Sequence, residues 1–419
     1  MEPDLQTGAS SPADNELVDV RTGTRTTWRE LPTATLPEPA AVVIDSSFAA
    51  APWVAAHAAT GQELLVVAAA RMEPELRAEL LTAGFNVVAD RGAQPPAVEH
   101  TARARPAVPD RVWLLTSGST GRPKQVAHTL ASLTTVSGEL PPRRWLCPYS
   151  PGTYAWWQLV TLSLAHPGQD LVMLDPSDLD RWVDAAVEHR VTAASGTPTF
   201  WRQTMMAHRD RLTEVPLEQI TLGGEPVDQT VLDQLRQRFP QARISWIYAS
   251  SEVGAAIVVH DGRAGFPAAW LDRDEPGRPT ISVADGELVI RSPHHGDGLA
   301  GAVRTGDAVV EQDGRVLITG RLDRDEINVG GAKASAGVIR SVVQAHPQVA
   351  WAAVRGRRSA LIGHLVVAEV VLRDGATESP ELLEEIGAWC RTRLPEYAVP
   401  RRLTVLPEIP ATATLKSEV

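Results

Sequence analysis

The sequence has few cysteines, no excess of positive charge and no long apolar run, and each absence excludes a class of protein. Only two of the 419 residues are cysteines, and Cys147 and Cys390 lie far apart. This excludes a disulfide scaffold and a cysteine-based zinc site, and it fits a reducing compartment. No apolar run is long enough to span a bilayer, and residues 1–5 are acidic and polar, unlike a signal peptide. We expect a cytoplasmic protein that does not insert into a membrane.

The charge balance is acidic. Lys and Arg number 40 against 51 Asp and Glu, which gives a formal net charge of −11. A protein that binds a phosphate backbone needs a basic face, so we do not expect a nucleic acid as the main partner. Hydrophobic residues make up 43% and charged residues 22%, the balance of an ordinary globular protein.

Short apolar runs alternate with helical patterns over the first 250 residues or so. This β-α-β order predicts largely parallel sheets covered by helices. Strands are predicted at 41–44, 64–67, 85–88, 112–115 and 244–248, and helices at 73–83, at 177–189 with Ser177 as cap, and at 227–239. Residues 93–111, rich in Pro, Ala and Arg, are predicted to be a linker.

The pattern changes after about residue 260. Alternating runs at 281–290 and 309–318 each surround an Asp-Gly pair, which predicts β-hairpins and an antiparallel, barrel-like region. Mixed α/β patterns follow. The predicted fold is α/β: a large N-terminal domain of helix-covered sheets plus a β-barrel-like region, and a small mobile C-terminal α+β domain.

The most informative segment is residues 115–124, Leu-Thr-Ser-Gly-Ser-Thr-Gly-Arg-Pro-Lys, directly after a predicted strand. Small residues let backbone N–H groups approach an anion, the hydroxyls add donors, and Lys124 adds a positive charge. The spacing is not that of a Walker loop. Taken alone, the segment is either a phosphate site or a Ser/Gly-rich surface loop.

Further motifs occur in a fixed order, and together with this loop they resemble the adenylate-forming (AMP-binding) superfamily. Its members include acyl-CoA synthetases, adenylation domains of peptide synthetases and firefly luciferase. The matching segments are 223–226 (Gly-Gly-Glu-Pro), 248–252 (Tyr-Ala-Ser-Ser-Glu), 304–307 (Arg-Thr-Gly-Asp), 320–333, 394–400 and 409–416. The resemblance covers about residues 110–419.

The resemblance implies attack of a carboxylate on the α-phosphorus of ATP, giving acyl-AMP and pyrophosphate. Lys416 is the implied catalytic lysine and Glu252 the implied Mg²⁺ ligand. The implied ATP-binding residues are Thr116, Ser117, Gly118, Ser119, Thr120, Gly121, Lys124, Gly224, Glu225, Tyr248, Ser251, Asp307 and Arg321. The sequence departs from the family at Leu415, where a glycine usually precedes the lysine.

The resemblance also implies a hinge and a thiol channel. The hinge segment is one residue longer than the common pattern, so the pivot is Asp323, Arg324 or Asp325. In the family the small domain rotates after adenylation, which removes the lysine and brings a thiol channel into place. Gly330, Gly331 and Lys333 are the implied channel residues.

The implied acid pocket contains Tyr154, Trp156, Trp157, Thr197, Gly223 and Ala249. Adenylation domains for amino acids carry an aspartate that pairs the α-ammonium, and the nearest equivalent here is Gly152 or Thr153. An unpaired buried ammonium is costly, so an α-amino acid is disfavoured. The twelve tryptophans, against four tyrosines and five phenylalanines, favour an aromatic or apolar pocket, although such residues more often lie in a core.

The sequence determines the acceptor of the acyl group less well than it determines the activation step. CoA is the first expectation, a phosphopantetheine on a separate acyl carrier protein the second, and amide formation the third. A non-catalytic, adenylation-like binding protein is a further alternative. The predicted division is a shortened N-terminal subdomain and linker at 1–110, an ATP- and acid-binding core at 111–320, and a mobile domain at 321–419.

Overall fold

The computed structural model describes residues 11–32, 34–35, 37–91, 95–116, 124–208, 210–299, 301–359, 363–410 and 415–417. Its strands are β1 (Glu16–Asp19), β2 (Arg25–Thr27), β3 (Ala40–Ile44), β4 (Leu64–Ala68), β5 (Asn86–Asp90), β6 (Ala97–Glu99), β7 (Val112–Thr116), β8 (Lys124–His128), β9 (Arg143–Cys147), β10 (Gln169–Met173), β11 (Ala193–Gly196), β12 (Gln219–Gly223), β13 (Arg243–Ser250), β14 (Gly254–Val259), β15 (Phe266–Pro267), β16 (Thr280–Ala284), β17 (Glu287–Arg291), β18 (Val303–Gln312), β19 (Arg315–Arg321), β20 (Glu326–Val329), β21 (Ala332–Ser335), β22 (Val349–Ser359), β23 (Gly363–Leu372) and β24 (Arg402–Leu406).

The α-helices are α1 (Ala51–Thr60), α2 (Pro74–Thr82), α3 (Leu130–Leu133), α4 (Tyr154–Ala165), α5 (Trp182–Glu188), α6 (Pro198–Ala207), α7 (Gln229–Arg238), α8 (Leu322–Asp325), α9 (Ala336–Gln344) and α10 (Pro380–Arg391). Short 3₁₀ helices occur at Pro12–Asp14, Phe48–Ala50, Ala69–Arg71, Pro176–Arg181, Arg211–Glu214, Ala268–Trp270 and Glu396–Ala398.

Two sheets of the large N-terminal domain are parallel in their centres. The first has the order β14-β13-β12-β11-β9-β10-β1-β2 and the second the order β6-β5-β3-β4-β7-β8. In the first sheet, strands β1 and β9 to β13 run parallel, and only the edge pairs β1·β2 and β13·β14 are antiparallel. Because β-α-β connections place strand ends on one edge, the loops after β11, β12 and β13 lie side by side.

The third sheet is antiparallel, with the order β15-β19-β18-β17-β16. Both predicted hairpin turns are present. Asp285 and Gly286, like Asp313 and Gly314, all have positive φ angles between 49° and 74°. Such turns match the twist of the flanking strands and favour Asp-Gly.

The C-terminal domain is a separate α+β unit: a sheet of β21-β20-β23-β22 with β24 on β23, covered by α9 and α10. It has its own apolar core. A small apolar cluster of Trp351, Val371 and Ile409 packs against Met206 of α6 and so joins the two domains. The predicted fold class is confirmed.

Two local predictions were wrong. The segment 177–189 is not one helix capped by Ser177, because Asp178 leaves helical angles (φ −109°) and the α-helix starts at Trp182. The predicted linker contains a strand, since β6 pairs with β5 at the edge of the second sheet.

Candidate active site

The ends of β13, β18 and β19 bring three of the predicted ATP-binding side chains together. The Tyr248 hydroxyl donates to Asp307 Oδ2 at 2.6 Å, and Arg321 Nη1 donates to Asp307 Oδ1 at 3.2 Å and to the Thr305 carbonyl at 2.8 Å. Asp307 and Arg321 are register partners across β18 and β19. Glycine is favoured at Gly306 beside them, because its φ is +73° and a Cβ there would displace the end of the Arg321 side chain.

Burial dominates the electrostatics of this group. It raises the pKa of the Asp307 carboxyl, although the Tyr248 hydrogen bond and the charges of Arg321 and Lys416 act in the opposite direction. Burial and the neighbouring Asp307 charge raise the pKa of Tyr248. Tyr248 therefore stays a neutral donor, and Asp307 keeps acceptor capacity for further hydroxyl groups.

Lys416 lies at this same edge. A Cβ on Gly224 would lie 3.1 Å from Lys416 Cε and 3.6 Å from Lys416 Nζ, and 3.7 Å from Thr197 Cγ2. Gly224 has a φ of +82°, so glycine is favoured there by both space and backbone geometry. Lys416 itself is exposed.

The residues on both sides of Lys416 fix the tail to the large domain. Thr197, the N-cap of α6, donates its hydroxyl to the Leu415 carbonyl. Glu225 Oε1 accepts from the Ser417 backbone N at 2.7 Å and from its hydroxyl at 2.8 Å. The same carboxylate accepts two bonds from Thr199, both at 3.0 Å.

Leu415 has the left-handed φ of +63° that usually favours glycine. Its side chain is only 6% exposed and packs into the large-domain core. A leucine in this conformation costs about 1–2 kcal/mol, so the burial of its side chain must offset that strain.

Ser417 was not predicted as a site residue. It bonds to Glu225 across 192 residues of sequence. Only the docking of the C-terminal domain creates that contact, and Ser417 belongs to no distinctive motif.

The predicted phosphate loop is described only at its ends. Thr116 closes β7, Lys124 opens β8, and the two are antiparallel partners. Lys124 is exposed. Ser117, Gly118, Ser119, Thr120 and Gly121 lie outside the described residues.

Glu252 follows β13 in a turn, with its backbone carbonyl accepting from Gly296 N at 2.9 Å. In the part of the chain that the structure describes, no cluster of three or more His, Cys, Asp or Glu side chains is placed to hold a metal ion. A single carboxylate fits Mg²⁺ that is shared with phosphate oxygens and water, which is the usual mode for this ion.

Ser251 uses its backbone carbonyl to accept a 2.7 Å hydrogen bond from His128 Nε2, while His128 Nδ1 lies 2.9 Å from Ser132 Oγ. Burial lowers the pKa of His128. The imidazole is thus held neutral beneath the turn that presents Glu252.

The predicted acid-pocket aromatics occupy the first turn of α4, which Thr153 caps by accepting from Trp156 N. Trp156 and Trp157 are both fully buried. Trp156 Nε1 donates to Ser47 Oγ at 2.6 Å, whereas Trp157 Nε1 has no hydrogen-bond partner within the described ranges. Tyr154 lies with its hydroxyl towards the backbone of Ala255, and burial raises its pKa.

The other predicted pocket residues lie close by. Thr197 is the N-cap of α6, and Gly223 ends β12, where a Cβ would lie 3.2 Å from the Ile247 carbonyl oxygen. Ala249 sits at an irregularity of register between β13 and β14. Gly152 has a φ of +77°, and a Cβ there would lie 2.0 Å from the Val66 carbonyl oxygen. No acidic side chain fits at that position.

The predicted hinge residues form the single helical turn α8. Asp323 is exposed, Arg324 lies in the turn, and Asp325 is only 9% exposed. Asp325 Oδ2 accepts from Thr319 of β19 at 3.1 Å and from Ser335 at 2.7 Å, and its Oδ1 accepts from Gly337 N at 2.7 Å. Asp325 therefore binds both domains.

Gly330, Gly331 and Lys333 lie on the exposed hairpin of β20 and β21. Gly331 N donates to Asn328 Oδ1 at 3.0 Å, and Lys333 pairs with Glu326 at 2.9 Å. None of the hydrogen bonds between described residues connects this hairpin to the residues around Lys416.

Comparison with known families decides the relationship. Residues 38–303 match the AMP-binding enzyme family, and residues 339–416 match the AMP-binding enzyme C-terminal domain. The chain belongs to the AMP-binding enzyme family. The resemblance recognised in the sequence is confirmed.

Curated relatives include an acetyl-coenzyme A synthetase of Rubrobacter xylanophilus, 26% identical over 353 residues, which are 72% of this chain and 54% of that protein. A 4-hydroxybutyrate–CoA ligase of Metallosphaera sedula is 28% identical over 339 residues, 72% of this chain and 59% of that protein. The chain thus spans little more than half the length of these relatives.

Solved structures share the fold. A benzoate CoA ligase from Burkholderia xenovorans superposes with a TM-score of 0.75 at 20% identity, covering 98% of this chain and 96% of that one. The amide bond synthetase McbA from Marinactinospora thermotolerans gives 0.67 at 22% identity, with coverages of 97% and 95%. In the described residues, no helix is both long and apolar enough to cross a bilayer.

Proposed function

We propose that this protein activates a carboxylic acid with ATP and then transfers the acyl group to a thiol, most simply that of CoA. A carboxylate oxygen attacks the α-phosphorus of ATP, the bond from that phosphorus to the bridging oxygen of pyrophosphate breaks, and acyl-AMP forms. The observation that carries the proposal is the docked Lys416 beside Gly224, at the edge where Tyr248 and Asp307 meet.

Each described group has a role in this reaction. Asp307 accepts hydrogen bonds from the ribose hydroxyls, with Arg321 holding its carboxylate, and Tyr248 lies against adenine together with Gly224. Lys416 neutralises charge where the acid and the α-phosphate meet. Thr116, Lys124 and the loop between them hold the outer phosphates, and Mg²⁺ bound by Glu252 would reduce their repulsion of the incoming carboxylate.

The acid is proposed to be aromatic or apolar and not an α-amino acid. Two observations support this: the Val66 carbonyl leaves no room for a side chain at Gly152, and Thr153 caps α4. Neither position therefore supplies a carboxylate for an ammonium group. Tyr154 and Trp157 are one turn apart on α4 and form the proposed wall. Because Trp157 Nε1 is buried without a partner among described residues, an acid with a hydrogen-bond acceptor would fit this wall better than a plain hydrocarbon.

Acyl transfer is proposed to need rotation of the C-terminal domain about α8, which would bring Gly330, Gly331 and Lys333 to the acid. Asp325 has two bonds within the C-terminal domain and one to β19. A pivot at Asp323 or Arg324 breaks only the single bond, so we favour these two over Asp325. The division at 1–110, 111–320 and 321–419 remains a proposal that rests on the same hinge.

CoA is the preferred acceptor because the curated relatives include an acetyl-coenzyme A synthetase and a 4-hydroxybutyrate–CoA ligase. A carrier-bound phosphopantetheine is the second candidate, and amide formation is the third, favoured by the fold shared with an amide bond synthetase. A protein that only binds nucleotide would have no need to fix Lys416 through Thr197 and Glu225.

The test is ATP–pyrophosphate exchange over a panel of aromatic, aliphatic and α-amino acids. We expect exchange with an aromatic or apolar acid and a loss of about 100-fold or more in Lys416→Ala. Lys333→Ala, which removes an exposed lysine of the C-terminal domain, is the matched control and should keep exchange. Exchange undiminished in Lys416→Ala would refute the assignment. Mass spectrometry of reactions with CoA, a holo carrier protein and amines then identifies the acceptor.

A further inference from the structure

A cavity lies between the two domains, away from the edge where Tyr248, Asp307 and Arg321 meet. It has a volume of about 440 Å³ and opens to solvent. Its large-domain wall is formed by α6 and α7, and its C-terminal wall by the start of β22 and the residues after β23. The residues on which the argument rests are Arg202, Met206, Gln234, Arg238, Ala350 and Arg373. None of the residues assigned to ATP or to the acid lines it. We call it the arginine cavity.

Positive charge exceeds negative charge on its wall. Three arginines, Arg202, Arg238 and Arg373, face one carboxylate, that of Asp374. Arg202 also pairs with Asp228, which lies behind it and accepts a 2.7 Å bond from Gln344 of the C-terminal domain. Guanidinium groups brought together from two domains in this way favour the binding of an anion.

Arg202 has unused hydrogen-bonding capacity. Its side chain is 6% exposed, and its buried Nε makes no hydrogen bond within the described part of the chain. A buried guanidinium nitrogen without a partner costs free energy.

Arg373 faces Arg202 from the C-terminal domain. Its Nε donates to the Val349 carbonyl at 3.2 Å, and in the amide orientation that satisfies both groups, Gln234 accepts from its terminal nitrogens. Both of these partners are neutral. Burial lowers the pKa of Arg373, and the charge of Arg202 lowers it further. The two guanidinium groups therefore repel each other across the cavity.

We propose that the arginine cavity binds a compact phosphate-bearing anion, which holds the two domains in the arrangement described here. Planar guanidinium groups match phosphate oxygens with paired hydrogen bonds. The volume lies within the range of about 300–1,000 Å³ typical of ligand sites. Because each domain supplies one wall, the anion binds the assembled arrangement more tightly than a rotated one, and this difference shifts the equilibrium towards assembly.

The probe is inorganic phosphate, and the measurement is thermal unfolding of the full chain in phosphate or in potassium chloride of equal ionic strength. We expect phosphate to raise the melting temperature of the wild type. In Arg373→Gln the phosphate concentration for half the effect should rise at least about tenfold, as expected for the loss of charged hydrogen bonds. Arg236→Gln is the matched control, since Arg236 is exposed on α7 outside the cavity.

Arg238→Gln tests the opposite wall and guards against a folding defect specific to Arg373→Gln. If the anion bridges the domains, variants of both walls lose the phosphate effect while Arg236→Gln retains it. Equal phosphate shifts in all three variants would place the anion elsewhere, for example on the phosphate loop, and would overturn the proposal. An effect lost in Arg238→Gln alone would overturn the bridging role.

Discussion

The proposed nucleotide edge, where Tyr248, Asp307 and Arg321 meet, and the proposed acid wall on α4 are built in opposite ways. At the nucleotide edge, Tyr248, Asp307 and Arg321 bond to one another through polar atoms and leave acceptor capacity for a ligand. On α4, Trp157 of the proposed wall and its neighbour Trp156 are fully buried and belong to the same apolar core as the sheets. A polar site is recognisable without its ligand because its hydrogen bonds have direction. An apolar wall is distinguishable from core only by the contacts that it lacks.

The largest expected effect is at Gly152, just before α4, where the nearby backbone of Val66 leaves no room for a side chain. Gly152→Ala should lower the free energy of unfolding by about 3 kcal/mol or more, because its Cβ meets the Val66 carbonyl and its φ is left-handed. Gly23→Ala has nearly the same φ, +72°, with open space around it, and should cost only about 1 kcal/mol. Urea unfolding measures both. Equal losses would show that an acidic residue is not sterically excluded at 152.

At the nucleotide edge, Asp307→Ala should reduce kcat/KM for ATP about 100-fold, as two charge-assisted hydrogen bonds are lost. The control variant Glu311→Ala removes an exposed carboxylate from the same strand and should leave kcat/KM for ATP unchanged. Steady-state ATP–pyrophosphate exchange at varied ATP concentrations measures kcat/KM for both variants. An Asp307→Ala enzyme with unaltered kinetics would contradict the ribose assignment.

The two tryptophans form a matched pair that separates core from pocket. Trp156→Phe should cost about 1–3 kcal/mol more stability than Trp157→Phe, because it leaves the buried Ser47 without its 2.6 Å donor. Trp157→Phe should instead alter the KM for the acid. Chemical denaturation and acid titrations measure each. If Trp156→Phe alone changed the acid KM, the two roles would have to be exchanged.

The smallest expected effect is at Leu415, in the C-terminal segment that docks on the large domain. Leu415→Gly relieves about 1–2 kcal/mol of backbone strain but loses about 3 kcal/mol of side-chain burial. The net loss of tail docking should slow exchange roughly tenfold. Global stability in urea serves as the control. Faster exchange in Leu415→Gly would mean that strain, rather than burial, dominates at this position.

The sequence pointed to the polar group around Asp307 through a short motif. Gly306 and Asp307 belong to the segment 304–307, which the resemblance to the family identified, and the structure brings Asp307 to Tyr248 and Arg321. The Glu225 contact with Ser417 depends on how two domains dock and has no local signal. Trp156 and Trp157 are chain neighbours that point to different surroundings, and only tertiary packing distinguishes them. The prediction of one helix starting at Ser177 was wrong because Asp178 departs from helical angles, although the apolar pattern of the segment suits a helix.

One hydrogen bond of Asp325 makes the hydrogen exchange of a single backbone amide, that of Gly337, informative about the hinge. The Gly337 amide donates to Asp325, and α9 approaches β19 so closely there that a Cβ on Gly337 would lie 2.1 Å from the Thr319 carbonyl oxygen. Deuterium reaches this amide only when its bond to Asp325 opens, and that bond lies within the C-terminal domain. If the domain rotates as proposed, the exchange rate of this one backbone proton therefore stays constant, which makes it an internal reference for amides whose bonds cross to the large domain.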